Sequence, residues 1–304
     1  MKTTVIGAGN VGALTAARLV EKSLCDVVLL DVVEGLAKGK AEDIMDAAGV
    51  LEFETEITGS TDFSLMKDSD IVIITAGFAR KPGMTREDLL LKNAAIVKGV
   101  SENIAKLAPN SIIINVTNPL DAMAYLSYKT SGFKKERVIG MAGLLDSSRM
   151  DLAISRALKK PVNNINSVVL GTHGETMAPA LSQSKIDGKP AEKILSDKDK
   201  ADIIDKTKNR GAEIVSYLKT GSAFFSPSAA AAKMAEMIIN DSKDVVTASC
   251  LLTGQYGISD IFLGVPAILG KSGIEKIIEL KLTKEEQDTL LKAASSVKEA
   301  ICMI

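Results

Sequence analysis

The sequence contains few of the residues that build metal sites and disulfide frameworks. Its 304 residues include one histidine and three cysteines, Cys25, Cys250 and Cys302, which lie far apart and form no Cys-x-x-Cys pair. This odd number and wide spacing argue against a disulfide framework and against a zinc site of cysteine and histidine ligands. We therefore expect no metal, and a reducing, cytoplasmic compartment.

Long apolar runs and an excess of one charge are also absent. No apolar run approaches the roughly 18 residues of a transmembrane helix. Thirty-seven basic and 38 acidic residues give a formal net charge of -1, which offers no electrostatic footprint for nucleic acid or a membrane surface. We therefore expect neither nucleic acid nor a membrane as a partner. Repeats, low-complexity segments and Pro/Gly-rich linkers are missing too, so we expect globular domains that pack closely.

The first half of the chain alternates short apolar strands with helices. Strands are predicted at residues 3–6, 26–30, 71–75, 111–114 and 137–139, and helices at residues 11–21, 86–107 and 120–128. Uninterrupted apolar strands separated by helices are typical of a parallel sheet covered on both faces. The pattern therefore predicts an α/β fold whose N-terminal domain, residues 1–142, is a doubly wound parallel sheet.

After about residue 143 this alternation stops. Helices are predicted at residues 146–158, 197–218 and 227–240, and short strands at residues 166–170, 245–252, 261–265 and 274–279. Asp187 and Gly188 indicate the tip of a hairpin over residues 185–190, and Thr283 with Glu286 forms a capping box before a final helix. These elements predict a second, α+β catalytic domain over residues 143–304.

A glycine-rich turn follows the first strand. It consists of Gly7, Ala8, Gly9, Asn10, Val11 and Gly12, which fit the Gly-x-Gly-x-x-Gly pattern. Glycine lets the backbone turn tightly and approach a pyrophosphate, and the following helix presents free N–H groups to its negative charge. The turn therefore predicts a dinucleotide-binding site of the Rossmann type.

Asp31 ends the second strand, nineteen residues after Gly12. A carboxylate at this place can accept hydrogen bonds from both adenosine ribose hydroxyls, and it would repel a 2′-phosphate. Val32 and Val33 come next, and neither could neutralise such a phosphate as an arginine would. The sequence therefore favours NAD over NADP as the cofactor.

A basic loop follows the strand at residues 71–75. It runs from Gly77 to Arg86 and contains Arg80, Pro82 and Gly83, so it combines turn-forming residues with two arginines. In open α/β sheets ligands bind beyond the carboxyl ends of the strands, and each arginine can offer a planar fork to an anion. From this segment alone, a loop that closes over a ligand and a solvated basic loop fit equally well.

Three further motifs complete the pattern. They are residues 115–121 (Asn-Val-Thr-Asn-Pro-Leu-Asp), 143–149 (Gly-Leu-Leu-Asp-Ser-Ser-Arg) and 171–175 (Gly-Thr-His-Gly-Glu). Together with residues 7–12 and 80–86 they follow the order of the lactate/malate dehydrogenase superfamily, which the chain resembles over nearly its whole length. The resemblance implies a Rossmann domain followed by a catalytic domain, NAD-dependent oxidation of a 2-hydroxy acid, and association as homodimers or homotetramers.

The resemblance also implies roles for particular side chains. His173 would move the alcohol proton, a task that suits a neutral imidazole, and Asp146 would orient its ring and stabilise the imidazolium. Arg149 would bind the C1 carboxylate of the substrate, and Arg86 would polarise its carbonyl. Asn118 would contact the substrate oxygen and the nicotinamide. The remaining cofactor contacts would come from Thr75, Ala76, Gly77, Asn93 and Val116.

Arg80 decides the substrate within this family. Lactate-specific members usually carry a neutral residue there, often glutamine, whereas an arginine can pair with the second carboxylate of malate or oxaloacetate. Ser222 and Ala223 stand where lactate enzymes usually have a threonine, which also suits malate. We therefore expect malate as the substrate, with L-lactate dehydrogenase activity as the nearest alternative.

Two other classes of protein share features with this pattern. An NAD-dependent glycoside hydrolase would need a metal held by cysteine and histidine, which one histidine and scattered cysteines argue against. A non-catalytic NAD-binding module would not require His173, Asp146 and three arginines in the order of the family. Both alternatives are therefore disfavoured.

Overall fold

The structure of the protein, a computed structural model, describes residues 1–78, 85–174 and 176–304. The strands of its first part are β1 Lys2–Ile6, β2 Asp26–Leu30, β3 Ile57–Ser60, β4 Ile71–Ile74, β5 Ile112–Asn115 and β6 Val138–Gly140. The helices between them are α1 Asn10–Glu21, α2 Leu36–Asp46, α3 Ala48–Leu51, α4 Arg86–Leu107 and α5 Leu120–Ser131.

These strands pair in parallel in the order β3-β2-β1-β4-β5-β6. This is the strand order of a doubly wound Rossmann sheet, so the predicted fold class is confirmed. The order reverses between β1 and β4, where the loops after the strands diverge and leave a crevice at the carboxyl ends. The glycine-rich turn and the basic loop both begin at this edge of the sheet.

Both faces of the parallel sheet are buried, which explains its continuous apolar strands. Val5, Leu29 and Ile73 belong to the apolar core on one face, whereas Ile6 and Leu30 belong to the core on the other. Residues that alternate along a strand therefore pack against different layers of helices. A sheet covered on both sides gives the loops at its edge a rigid support.

The second part of the chain continues with helices and mostly short strands. Its helices are α6 Gly143–Leu158, α7 Asp197–Leu218, α8 Phe225–Ile239 and α9 Lys284–Ile301. Its strands are β7 Ile165–Asn166, β8 Val169–Leu170, β9 Ala178–Pro179, β10 Lys185–Ile186, β11 Lys189–Pro190, β12 Asp244–Thr253, β13 Ser259–Gly270 and β14 Gly273–Ile277. The hairpin of β10 and β11 and the capping box of Thr283 and Glu286 confirm the two local predictions.

The prediction that the strands near the C-terminus are all short is wrong. β12 and β13 span 10 and 12 residues, pair antiparallel, and extend the first sheet where Ser249 pairs with Gly140. Their central residues are almost all buried, so no alternation of apolar and polar residues marks where each strand ends. The single strand expected at residues 166–170 is divided between β7 and β8, which belong to different sheets.

β3 and α2 are absent from the sequence-based prediction. β3 reads Ile-Thr-Gly-Ser at the edge of the sheet, where one large apolar residue is too weak a signal. Gly59 in this strand packs so closely against α2 that a Cβ there would lie 2.1 Å from the carbonyl oxygen of Ala37. This close packing sets α2 beside β2 and near the glycine-rich turn.

Two searches cover the residues that the structure describes. None of the helices in the described ranges is long and apolar enough to cross a membrane. Within the same ranges, no group of three or more histidine, cysteine or acidic residues could hold a metal ion. The division of the chain into domains at residue 143 stays a prediction.

Candidate active site

The glycine-rich turn between β1 and α1 is shaped by missing side chains. Gly7 has a φ of 102°, in the left-handed region, and a Cβ there would lie 2.6 Å from the nitrogen of Ala76. A Cβ on Gly12 would lie 1.8 Å from the carbonyl oxygen of Gly7. Gly9 differs, because a Cβ there would meet no heavy atom within 4 Å. The missing side chain of Gly9 therefore leaves space outside the turn rather than inside the protein.

This space lies in front of the N-terminus of α1. Gly9 is the N-cap residue and no side chain caps the helix, so the first N–H groups are available to an external anion. Asn10, the first residue of the helix, is exposed, and Val11 lines the cleft described below. The turn therefore fits the diphosphate of a dinucleotide such as NAD.

Asp31, just after β2, lies against the same turn. Its Oδ2 accepts a hydrogen bond of 2.6 Å from the N–H of Ala8, and its Oδ1 accepts one of 3.0 Å from the N–H of Val33. Lys40 Nζ, on α2, donates a hydrogen bond of 2.8 Å to the carbonyl oxygen of Ala8. Ala8 is thus held through both of its backbone groups. Sequence reasoning missed Lys40 because it missed α2.

Side chains that follow β4 join the turn to the neighbouring loops. Thr75 Oγ1 lies 2.9 Å from the carbonyl oxygen of Gly7. Asn93, on α4, accepts a hydrogen bond of 2.7 Å from the N–H of Phe78 and donates one of 2.7 Å to the carbonyl oxygen of Asn118. Because the Asn93 amide is buried and bonded to backbone, its described contacts brace the loops after β4 and β5.

The same two loops also meet through Thr117. Its hydroxyl donates a hydrogen bond of 2.8 Å to the carbonyl oxygen of Ala76, and a Cβ on Gly77 would lie 2.6 Å from its methyl carbon. Val116 and Asn118, on either side of Thr117, line the cleft. The structure therefore gathers these sequence-predicted cofactor residues at one edge of the sheet.

His173 and Asp146 form a hydrogen-bonded pair, as the sequence predicts. His173 Nδ1 lies 2.8 Å from Asp146 Oδ2. Asp146 belongs to the first turn of α6 and its side chain is 2% exposed, whereas His173, in the turn between β8 and β9, is 17% exposed. An ionised carboxylate only accepts hydrogen bonds, so Nδ1 is the donor and Nε2 remains for a ligand.

The surroundings of His173 favour its protonated form. Burial alone lowers the pKa of the ring, because it disfavours the charged state. The charge of Asp146 and the hydrogen bond to it outweigh burial, with a smaller contribution from Asp121, while Arg149 opposes them. The pKa of His173 therefore lies above its usual value of 6.5.

Asp121 is a second carboxylate behind the histidine, and sequence reasoning missed it. Its Oδ1 accepts a hydrogen bond of 2.6 Å from Ser249 Oγ, and its Oδ2 accepts a long one of 3.4 Å from the N–H of His173. Asp121 is buried on α5 and Ser249 lies on β12, so the carboxylate connects both elements to the histidine turn. These partners lie 52 and 128 residues away in sequence, so no local pattern reveals the role.

The free energy of unfolding should depend on the protonation of Asp121. Burial raises its pKa to about 6, against the hydrogen bond from Ser249 and the charge of His173. Between about pH 4 and pH 6 the folded protein keeps a proton that the unfolded chain releases, so stability falls as pH rises, by about 3 kcal/mol. The asparagine of Asp121→Asn does not titrate. Urea unfolding should therefore show that the free energy of unfolding of the variant, relative to that of wild type, rises by this amount between about pH 4 and pH 6.

Asp151 provides a matched control on α6. Burial likewise raises its pKa to about 6, its Oδ1 accepts a hydrogen bond of 2.8 Å from the N–H of Ser167, and it does not line the cleft. Asp151→Asn should shift stability in the same direction and by a similar amount, because the two carboxyls have the same raised pKa, and it should not change activity. A constant stability difference between Asp121→Asn and wild type from about pH 4 to pH 6 would contradict the assignment.

Arg149 lies one turn after Asp146 on α6. Its Nη1 lies 3.3 Å from Asp146 Oδ1, and its side chain is 11% exposed. Its Nε is buried and has no hydrogen-bond partner in the described part of the chain. Burial lowers the pKa of Arg149 and Asp146 opposes this effect. An unpaired buried donor costs about 1–3 kcal/mol. The guanidinium also lines the cleft described next, where it can bind an anion such as a carboxylate.

His173 and Arg149 line one cleft of about 380 Å³, and Asp146 lies buried behind them. His173, Arg149 and Asn118 line it, and Ser222 and Ala223 contribute from the segment between α7 and α8. Its size lies at the lower end of the range for small-molecule sites. The cleft therefore brings an imidazole and an arginine next to the glycine-rich turn and the loop after β5. This space suits a small anionic ligand.

Two of the predicted substrate arginines are not placed in this cleft. Arg80 lies outside the described residues, as does Glu175 of the histidine turn. Arg86, the first residue of α4, is exposed and does not line the cleft. The predicted contacts of both arginines with the substrate therefore stay predictions.

Known protein families match both parts of the chain. The family model for the lactate/malate dehydrogenase NAD binding domain matches residues 1–140, and the model for the lactate/malate dehydrogenase alpha/beta C-terminal domain matches residues 144–303. A malate dehydrogenase from Chlorobium phaeobacteroides is 48% identical over 300 residues, which cover 98% of this chain and 97% of that protein.

Solved structures of two different dehydrogenases superpose almost equally well. The Cryptosporidium parvum malate dehydrogenase gives a TM-score of 0.96 at 40% identity, covering 99% of this chain and 98% of that one. The lactate dehydrogenase of the same organism, complexed with lactic acid and NAD, gives a TM-score of 0.96 at 37% identity, covering 99% and 96%. The fold therefore does not separate the two activities, and the side chains of the cleft must do so.

Proposed function

Because the chain belongs to the lactate/malate dehydrogenase family, we propose that it is an NAD-dependent enzyme that interconverts malate and oxaloacetate. The observation that carries this proposal is the cleft in which the pair of His173 and Asp146 meets Arg149. A proton-transferring group and a carboxylate-binding cation are what the protein itself must contribute to oxidise a 2-hydroxy acid. NAD, when bound, supplies the site that accepts or donates the hydride.

The side chains of the cleft divide the remaining work. In malate oxidation, neutral His173 accepts the hydroxyl proton at Nε2, while Asp146 holds Nδ1 and stabilises the imidazolium that forms. Arg149 binds the C1 carboxylate and so fixes the hydroxyl near the imidazole. In the reverse direction the imidazolium returns the proton to the carbonyl oxygen, which Arg86 polarises and Asn118 contacts.

The same proposal extends to cofactor choice and setting. Asp31 would accept hydrogen bonds from the adenosine ribose of NAD and repel the 2′-phosphate of NADP. Cys25 and Cys250 are buried free thiols, which suits a reducing compartment such as the cytoplasm. There the enzyme would catalyse the malate–oxaloacetate step of the tricarboxylic acid cycle as a homodimer or homotetramer.

The oxidation of NADH and NADPH with oxaloacetate tests the reaction and the cofactor together. With NADH we expect a kcat/KM in the ordinary enzyme range of roughly 10⁴–10⁸ M⁻¹s⁻¹. With NADPH we expect a value at least about tenfold lower, because Asp31 meets the 2′-phosphate. No NADH oxidation in the presence of oxaloacetate would contradict the proposed function.

The pH dependence of the rate should follow the raised pKa of His173. Oxaloacetate reduction needs the imidazolium, so its kcat/KM should fall as pH rises through a midpoint above 6.5, while malate oxidation should rise through the same midpoint. The midpoint can be checked by NMR without assignment, because the chain has a single histidine. Asp146→Asn should lower that NMR midpoint, and an unchanged midpoint would contradict the pairing.

Arg80 is the residue that we propose for the second carboxylate of the substrate. Arg80→Gln should lose most of the kcat/KM for oxaloacetate, by about 10²-fold for a charge-assisted contact, and gain some activity on pyruvate. Steady-state kinetics with both substrates measures the change. An unchanged kcat/KM for oxaloacetate would remove Arg80 from the substrate site.

A further inference from the structure

One face of α7 forms a wall of the active-site cleft. Lys208, Gly211, Ala212 and Val215 all line the cleft. Residues three, four and seven positions apart lie on the same side of a helix, so this spacing describes one continuous face. Lys208 is therefore oriented like its neighbours on that face rather than like the exposed charged residues on the opposite side of α7.

The same helix face lies against Arg149. A Cβ on Gly211 would lie 3.7 Å from Arg149 Nη1 and 3.9 Å from Nη2, which is ordinary van der Waals contact. Lys208 precedes Gly211 by three residues, or about 4.5 Å along the helix axis. Two cations of different shape, a buried guanidinium and a flexible ammonium, thus border the same cleft.

Lys208 has no anionic partner within the described ranges, although charged residues surround it. Asp205, three residues before it, accepts a hydrogen bond of 2.8 Å from Asn209. Arg210 pairs with Glu213 at 2.7 Å. Asp205 and Glu213 thus have partners other than Lys208, and the ammonium of Lys208 is available to a ligand.

The carboxylates of the catalytic centre do not pair with Lys208 either. Asp146 is shared between His173 and Arg149, and Asp121 is bonded to Ser249 and to the backbone of His173. A positive charge that borders a cleft favours an anion there. Arg149 offers a planar fork beside the catalytic pair, which suits the C1 carboxylate, whereas an ammonium on a flexible stem suits a carboxylate farther along the substrate.

We propose that Lys208 is a specificity-determining residue that pairs with the substrate carboxylate remote from the reacting carbon. The inference rests on the proposed function, because it takes the ligand of the cleft to be a dicarboxylic 2-oxo acid. The substrate preference would be fixed partly on a helix and not only on the loop.

Steady-state kinetics on Lys208→Gln, with oxaloacetate and pyruvate at saturating NADH, tests this role. We expect kcat/KM for oxaloacetate to fall about tenfold, mainly through KM, since a charge-assisted contact at a partly exposed site is lost. Pyruvate lacks the second carboxylate, so its kcat/KM should change by less than about twofold. Lys208→Arg keeps the cation and should restore most of the oxaloacetate activity.

Lys206→Gln is the matched control, because Lys206 is an exposed lysine of the same helix that does not line the cleft. It should leave both substrates unchanged. Equal losses of kcat/KM for oxaloacetate and pyruvate in Lys208→Gln would indicate a general electrostatic effect on anionic substrates and would overturn the inference. An unchanged kcat/KM for oxaloacetate would overturn it as well. A wild-type enzyme inactive on oxaloacetate would instead overturn the proposed function, together with the inference.

Discussion

Replacing His173 with asparagine should lower the turnover of oxaloacetate by about 10³-fold, the middle of the range for a lost general acid–base group. Asparagine can still donate a hydrogen bond to Asp146, but it does not titrate. The other ionisable side chains among the described residues that line the cleft are Arg149 and Lys208, and both are assigned to carboxylates of the substrate rather than to the alcohol proton. Steady-state kinetics with NADH and oxaloacetate measures the loss.

The affinity for NADH should not change in the same variant. The cofactor residues form a separate group around the glycine-rich turn and the loops after β4 and β5, whereas His173 lies between β8 and β9. A fluorescence titration of NADH should give the wild-type dissociation constant. Near-normal turnover of His173→Asn would rule out the mechanism, and a lost NADH affinity would show that the histidine turn supports the cofactor instead.

Replacing Arg149 with glutamine should lower kcat/KM for oxaloacetate by about 10³-fold. Two charge-assisted hydrogen bonds to one carboxylate are worth about 3–6 kcal/mol together, and this loss corresponds to roughly 10²–10⁴ in kcat/KM. The structural reason is that Arg149 lines the same cleft as His173, so its guanidinium can bind the carboxylate next to the reacting carbon. Arg149→Lys keeps the charge without the planar fork, so it should recover only part of the loss.

Arg149 also touches Asp146, so its removal has a second effect that must be separated. The NMR titration of the single histidine does this, because Arg149 opposes protonation of His173 and its loss should raise the midpoint. A raised midpoint with a weakened substrate site would support both contacts. Wild-type kinetics for Arg149→Lys would contradict a bidentate role.

The parts of the site that the sequence predicts are those in which local patterns carry the chemistry. The glycine-rich turn was predictable because its geometry leaves no room for a side chain at Gly7 or Gly12, so glycine is required at both positions. Asp31 follows from its place at the end of the next strand. The pairing of His173 with Asp146 was accessible through the resemblance, because each residue belongs to a short motif of the family.

Other parts depend on contacts between distant segments, which no local pattern reveals. Asp121 has its role only in the folded protein, where Ser249 on β12 and the N–H of His173 both donate hydrogen bonds to its carboxylate. The contact of Lys40 with Ala8 could not be predicted without α2, the helix that carries Lys40. The position of this helix depends on the close packing of Gly59 against it. Lys208 is one of many charged residues in its segment, and only the helix face and the cleft distinguish it.

The ratio of kcat/KM for oxaloacetate to kcat/KM for pyruvate, both with NADH, tests the central claim most directly. It matters because the fold is shared almost equally with a malate and a lactate dehydrogenase. We predict a ratio of at least about 100 in favour of oxaloacetate, because pyruvate lacks the second carboxylate that we propose Arg80 and Lys208 to bind. A ratio near one, or a preference for pyruvate, would contradict the account.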